Sequence, residues 1–132
     1  MVERVLLVES DELLAVLFEL ALCEAGYVVS RVNSGAGALS RLAADGAAFD
    51  LVVTDIGLRD GPDGWQVARR ARAITPDMPV IYMTGARADE WRPQHVPLGV
   101  LLLKPFAVQQ LVEIAGALLS AKAEAAGVQR SA

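Results

Sequence analysis

Glu9, Asp55, Thr84 and Lys104 each close a short apolar run. Val5-Leu6-Leu7-Val8 precedes Glu9-Ser10-Asp11, and Leu51-Val52-Val53-Thr54 precedes Asp55. Val80-Ile81-Tyr82-Met83 precedes Thr84, and Val100 to Leu103 precedes Lys104-Pro105. Together these side chains suit phosphoryl transfer. A carboxylate such as Asp55 is a nucleophile that can form an aspartyl phosphate. Glu9 and Asp55 are hard oxygen donors of the kind Mg²⁺ prefers, and such an ion neutralises charge on a transferring phosphoryl group. Lys104 is suited to pair with Asp55 and then with a phosphate oxygen. The Thr84 hydroxyl is suited to follow the phosphate and report its presence. Each residue alone is a weak signal, because polar residues commonly follow strands.

The elements between these residues decide whether they meet. Val5–Val8 reads as a strand buried on both faces. A helix from Asp11 to Ala25 follows, closed by Gly26; at a helical period Leu14, Leu17, Phe18 and Ala21 share its inner face. Tyr27–Val32 is a second strand, and Ser34 caps a second helix running to about Ala44. Phe49–Thr54 is the third strand, Asp55–Asp63 a loop rich in Gly, Asp and Pro, and Gly64–Ile74 the third helix. Pro79–Met83 and Val100–Leu103 are the fourth and fifth strands, and Ala107 to about Lys122 is the last helix. Between strands four and five, Ala88–Arg92 has room for one or two helical turns limited by Pro93 and Pro97, an atypical short fourth helix. Strands alternating with helices predict an α/β fold: a doubly wound parallel sheet of five strands in the order 2-1-3-4-5, with helices on both faces. Ligands bind such sheets beyond the carboxyl ends of the strands, and that is where Glu9, Asp55, Thr84 and Lys104 fall.

Composition narrows the function classes. The chain has 132 residues, 54% of them hydrophobic, enough for one packed domain and against global disorder. The expected division is a domain over 1–122 and a flexible C-terminal tail over 123–132. A net charge of −4 argues against nucleic acid as a direct partner. Arg69, Arg70 and Arg72 read better as a solvated helix face. The single cysteine, Cys23, excludes an intrachain disulfide. No stretch approaches the ~20 apolar residues of a membrane span, and no secretory signal is evident, so a cytoplasmic location without membrane contact is expected.

Five stretches, taken as a set, carry a resemblance: Val5-Leu-Leu-Val-Glu9-Ser10, Asp50-Leu-Val-Val-Thr-Asp55, Asp63-Gly64-Trp65, Pro79-Val-Ile-Tyr-Met-Thr84-Gly85 and Leu103-Lys104-Pro105-Phe106. Over about residues 4–121 the chain resembles the receiver domain of two-component response regulators. The resemblance implies a flavodoxin-like fold, Mg²⁺ dependence and a phosphohistidine donor on a histidine kinase or histidine phosphotransfer protein. It implies Asp55 as phosphoacceptor, Thr84 as switch hydroxyl, Lys104 as the phosphate-contacting lysine, and Pro105 as the cis-type proline after it. The metal ligands implied are Glu9, Asp55 and the backbone carbonyl of Gly57. The chain leaves no room for a DNA-binding output domain, so a stand-alone single-domain response regulator is expected. Its output would be a change of downstream protein partner or a phosphate passed onward.

Two positions depart from the family pattern. The usual pair of acids after strand one is Glu9-Ser10 here, and counting back from Gly26 supports that register. Asp11 then faces the helix start or caps it. Ser10 removes a charge from the metal site, where its hydroxyl is left to hold a metal-bound water. Leu101 stands where many receivers carry Tyr or Phe, so switching by ring rotation is not available to it.

Plainer readings stand beside each residue. Lys104 alone is a snorkelling surface lysine, Thr84 a strand-end threonine, and Gly61, Pro62 and Gly64 loop-shaping residues. His95 is a solvated loop position, Cys23 a half-exposed helix residue, and Val16 and Leu20 a small apolar patch suited to a partner helix. Two other functions compete: a degenerate pseudo-receiver acting as a phosphorylation-independent interaction module, and an aspartate-nucleophile phosphatase. The phosphatase needs an acid two residues after the nucleophile to protonate the leaving group; Gly57 stands there. The reading is therefore of a phosphoacceptor, not an enzyme.

Overall fold

The computed structural model describes residues 2–85 and 99–131, with side chains through residue 125. The helical turns expected at Ala88–Arg92, and His95, lie outside the described residues. The strands are β1 (Arg4–Val8), β2 (Val28–Val32), β3 (Leu51–Asp55), β4 (Val80–Thr84) and β5 (Gly99–Leu103). The helices described are α1 (Glu12–Glu24), α2 (Gly35–Asp45), α3 (Gly64–Ile74) and α4 (Val108–Ser131), with a 3-10 turn at Gly46–Ala48. All neighbouring strands pair in parallel, in the order β2-β1-β3-β4-β5. This is the predicted doubly wound, flavodoxin-like sheet.

The near-continuous apolar strands follow from burial on both faces. Leu6 and Val8 of β1 point to one side, into a cluster with Leu42 of α2, Trp65, Val67, Ala68 and Ala71 of α3, and Tyr82 of β4. Val5 and Leu7 point to the other, among Phe18 and Leu22 of α1 and Leu111, Ala115 and Leu118 of α4. A parallel register then lines up the strand ends: Val8 beside Thr54, Asp55 beside Met83, and Thr84 beside Leu103. Glu9, Asp55, Thr84 and Lys104 are thereby brought to one edge of the sheet.

Local signals set most of the helix ends. Asp11 caps α1 by accepting from Leu14 N at 3.1 Å, and Ser34 caps α2 by accepting from Gly37 N at 3.0 Å. Asp63 and Gln66 form a reciprocal capping box on α3. After α1 the chain turns through Gly26 at φ 101°, a left-handed conformation that glycine takes without steric penalty. Several element ends shift by a residue or two from expectation, and three features differ more. Phe49 lies outside β3, buried after the 3-10 turn. The buried side of α1 centres on Ala15, Phe18 and Leu22, which leaves Leu17 44% exposed. The helical backbone of α4 runs past Lys122 to Ser131, through a segment in which the strong helix formers Ala, Glu, Gln and Arg outnumber Gly127, Val128 and Ser131. Among the described residues no helix is long and apolar enough to cross a membrane.

Candidate functional site

The crevice beyond the sheet is assembled from the ends of β1, β3, β4 and β5. Glu9 continues β1, its N–H donating to the Val32 carbonyl at 3.2 Å. Its side chain is almost fully buried, at 1% exposure. A buried carboxylate requires partners, and Glu9 has two: Asp11 N–H donates to Oε2 at 3.0 Å and Lys104 Nζ donates to Oε1 at 2.7 Å. Asp11 therefore closes the loop twice, through its N–H to Glu9 and its carboxylate to the first turn of α1. Of the two readings of Asp11, the cap is the one observed. Ser10 lies between them, partly buried.

Asp55 ends β3 at the mouth of the crevice, with a 13% exposed side chain. Its Oδ2 accepts from Lys104 Nζ at 3.1 Å and its Oδ1 from the Gly57 N–H at 3.3 Å. Lys104 thus spans Glu9 and Asp55. Its own backbone is fixed to β4, because Lys104 N–H donates to the Thr84 carbonyl at 2.8 Å. Thr84 is 2% exposed at the end of β4. The Lys104-Pro105 peptide is cis. Gly57 stands in an open position two residues after Asp55.

Two carboxylates and one ammonium leave this cluster with a net negative charge. Burial pushes the Glu9 carboxyl above the usual range; the hydrogen bonds from Lys104 and from the Asp11 N–H oppose that, and the Asp55 charge adds to it. For Lys104 burial works to lower the pKa, but the hydrogen bond to Glu9 and the charges of Asp55 and Glu9 outweigh it and hold the ammonium above its ordinary value. Lys104 is protonated at any physiological pH, ready to face a phosphoryl oxygen.

The donor set also suits a hard cation. Mg²⁺ is commonly held by one or two carboxylates together with water and phosphate oxygens. Glu9 and Asp55 bring two carboxylates to this crevice, and Ser10 and Gly57, one and two residues along the chain from them, carry further oxygen donors. No group of three or more His, Cys, Asp or Glu placed to hold a metal occurs among the described residues.

Beside the crevice runs an apolar groove of about 410 Å³ lined by Leu14, Leu17, Phe18, Lys104, Pro105, Phe106 and Val108. The Phe18 and Phe106 rings stack at 5.3 Å between centroids. Leu13 and Leu20 extend this apolar face along α1, at 69% and 57% exposure. On the opposite side of the sheet, Trp65 is buried against Tyr82 at 4.7 Å, and Leu101, paired with Tyr82, packs partly buried into the same cluster.

The sequence reading missed three contacts. It paired Lys104 with Asp55 but not with Glu9. It read Gly64 as loop-shaping and as the first residue of the third helix, as observed, but not as buried against the Asp55 carbonyl. It passed over Thr54, whose hydroxyl donates to that carbonyl at 3.0 Å; a polar residue inside an apolar run was the available signal.

The chain is similar to known proteins. The family profile described as response regulator receiver domain matches residues 5–116. The response regulator receiver protein CpdR of Brucella abortus is 37% identical over 112 residues, covering 83% of this chain and 91% of that protein. The C4-dicarboxylate transport transcriptional regulatory protein DctD of Rhizobium meliloti is 34% identical over 84% of this chain, which spans only 24% of DctD. The crystal structure of a response regulator receiver protein from Sinorhizobium medicae superposes with a TM-score of 0.86 at 44% identity, covering 91% of this chain and 96% of that one.

Proposed function

The chain belongs to the response regulator receiver domain family, and from that premise we propose that Asp55 accepts a phosphoryl group from a phosphohistidine and that the modified chain changes its protein partner. Receiver domains act as phosphoacceptors in two-component signalling, exchange with histidine kinases or phosphotransfer proteins, and generally bind Mg²⁺ at the acidic site. The observation that carries the reading here is the Lys104 ammonium held between Glu9 and a partly exposed Asp55.

In the proposed step an Asp55 carboxylate oxygen attacks phosphorus in line with the leaving nitrogen. The O–P bond forms as the P–N bond breaks, and the electron pair of that bond stays on the imidazole. Glu9, Asp55 and the Gly57 carbonyl would hold Mg²⁺, with the Ser10 hydroxyl on a metal-bound water, and the ion when bound offsets charge on the phosphoryl oxygens. Lys104 gives up its contact with Asp55 for one with a phosphoryl oxygen while Glu9 keeps its ammonium in place. Thr84 is proposed to turn its hydroxyl toward the phosphate, and the apolar face of α1 with the Phe106 groove to receive the donor's helices. The receiver unit is assigned to residues 1–122.

Phosphorylation by a phosphohistidine donor or acetyl phosphate with Mg²⁺, read by intact mass, tests this. Wild type is expected to gain one phosphoryl group and Asp55→Asn none; an Asp55→Asn chain that still gains it overturns the assignment. Ser10 favours a second reading, a pseudo-receiver that binds its partner without phosphate, and a wild type that stays unmodified with both donors supports it.

A further inference from the structure

Resting on the reading of Asp55 as phosphoacceptor, we propose that Thr54 and Gly64 are positioning residues that clamp the Asp55 peptide and so set the line of attack of its carboxylate. Both polar atoms of the peptide joining Asp55 to Ile56, and the Ile56 carbonyl after it, have fixed partners. Ile56 N–H donates to the Met83 carbonyl of β4 at 2.9 Å. The Ile56 carbonyl accepts from Gly64 N at 2.9 Å and Leu58 N at 3.0 Å. The Asp55 carbonyl accepts from the Thr54 hydroxyl at 3.0 Å. Thr54 is fully buried, so that hydroxyl is committed to the carbonyl and sealed from water.

The other side of the same peptide is closed by α3. A Cβ on Gly64 would fall inside the contact distance of the Asp55 carbonyl oxygen and carbon, and 2.7 Å from Ile56 Cα. All three are backbone atoms of a strand end that is hydrogen-bonded on both sides, so none can swing aside as a side chain does. The capping box of Asp63 and Gln66 holds the start of α3 against this point. The peptide that carries the nucleophile is thus gripped between a β3 hydroxyl and the first residue of α3. The same grip places Gly57, two residues on, whose N–H meets Asp55 Oδ1.

The experiment uses the full chain and compares four variants with wild type: Thr54→Val, Thr54→Ser, Gly64→Ala and Val67→Ala. Val67 is buried in the core cluster under α3, makes no hydrogen bond to the Asp55 peptide through its side chain, and serves as a stability control. Initial rates of phosphorylation by acetyl phosphate are measured across Mg²⁺ concentrations, well below each melting temperature. Misplacing a nucleophile by about 1 Å can slow a reaction about a hundredfold. Gly64→Ala is expected to lower the saturating rate by about ten- to a hundredfold, and Thr54→Val by about tenfold. Thr54→Ser, which restores the hydroxyl, and Val67→Ala are expected to keep saturating rates near wild type despite lower melting temperatures. Thr54→Val or Gly64→Ala chains that match Val67→Ala in saturating rate overturn the clamp while leaving Asp55 as acceptor. A wild type that takes no phosphoryl group overturns both.

Discussion

Lys104 and Glu9, 95 positions apart in the chain, meet at 2.7 Å between Nζ and Oε1. β3 and β4 lie between β1 and β5, so the contact is made by the long Lys104 side chain reaching across the carboxyl ends of the strands to a buried Glu9. Glu9 is the fully buried partner and Asp55 the partly exposed one, so the ammonium is anchored on one carboxylate and shared with the other. That asymmetry fits a site in which Asp55 is modified and Glu9 is not.

Lys104 should make the fold sensitive to alkali. Its folded-state pKa lies above its ordinary value of 10.5. The stabilisation it contributes is then fully present below the unfolded value and is lost as pH rises through the folded one. The difference in unfolding free energy between wild type and Lys104→Met is expected to stay flat from neutral pH to about 10 and to shrink above it. Urea denaturation at stepped pH measures this; a difference that grows with alkali contradicts the ion pairing.

Ser10 is expected to set the metal affinity. Ser10→Asp adds a third carboxylate to a site that already carries net negative charge. Mg²⁺ binding, followed by amide shifts in NMR titrations, should tighten by about tenfold or more. The metal-free variant should be less stable than wild type, because like charges are brought together. Unchanged affinity would place Ser10 outside the metal site.

Asp63 supports the site through α3. Its carboxylate accepts from Gln66 N at 3.0 Å while Gln66 Oε1 accepts from Asp63 N at 2.9 Å. Asp63→Ala removes the capping box and should cost about 1 kcal/mol, read as a melting temperature lower by about 4 °C. A melting temperature equal to wild type would mean that the helix start is held by other contacts.

Much of this was legible from residue order. Val5–Val8 and Val80–Met83 read as strands because both sheet faces are covered, and Gly64–Ile74 had clear ends because Asp63 and the β-turn residues before it punctuate the chain. Asp55 and Lys104 were legible as a pair because strand ends converge in doubly wound sheets. The bond from Lys104 to Glu9 was not, because it depends on how deeply Glu9 is buried, and depth is a tertiary property. The contact of Gly64 with Asp55 was hidden for the same reason, since it comes from the docking of α3 on β3. The true inner face of α1 was shifted because α4 packs on Phe18 and Leu22, leaving Leu17 at the rim of the groove.

The most direct test of the central claim is amide NMR of the chain with Mg²⁺ and beryllofluoride, a phosphoryl mimic, on wild type and Asp55→Asn. The account predicts large shift changes around Asp55, Thr84 and Lys104 in wild type that need both additives and are absent in the variant. A folded wild type whose spectrum stays unchanged at millimolar Mg²⁺ with beryllofluoride would contradict it.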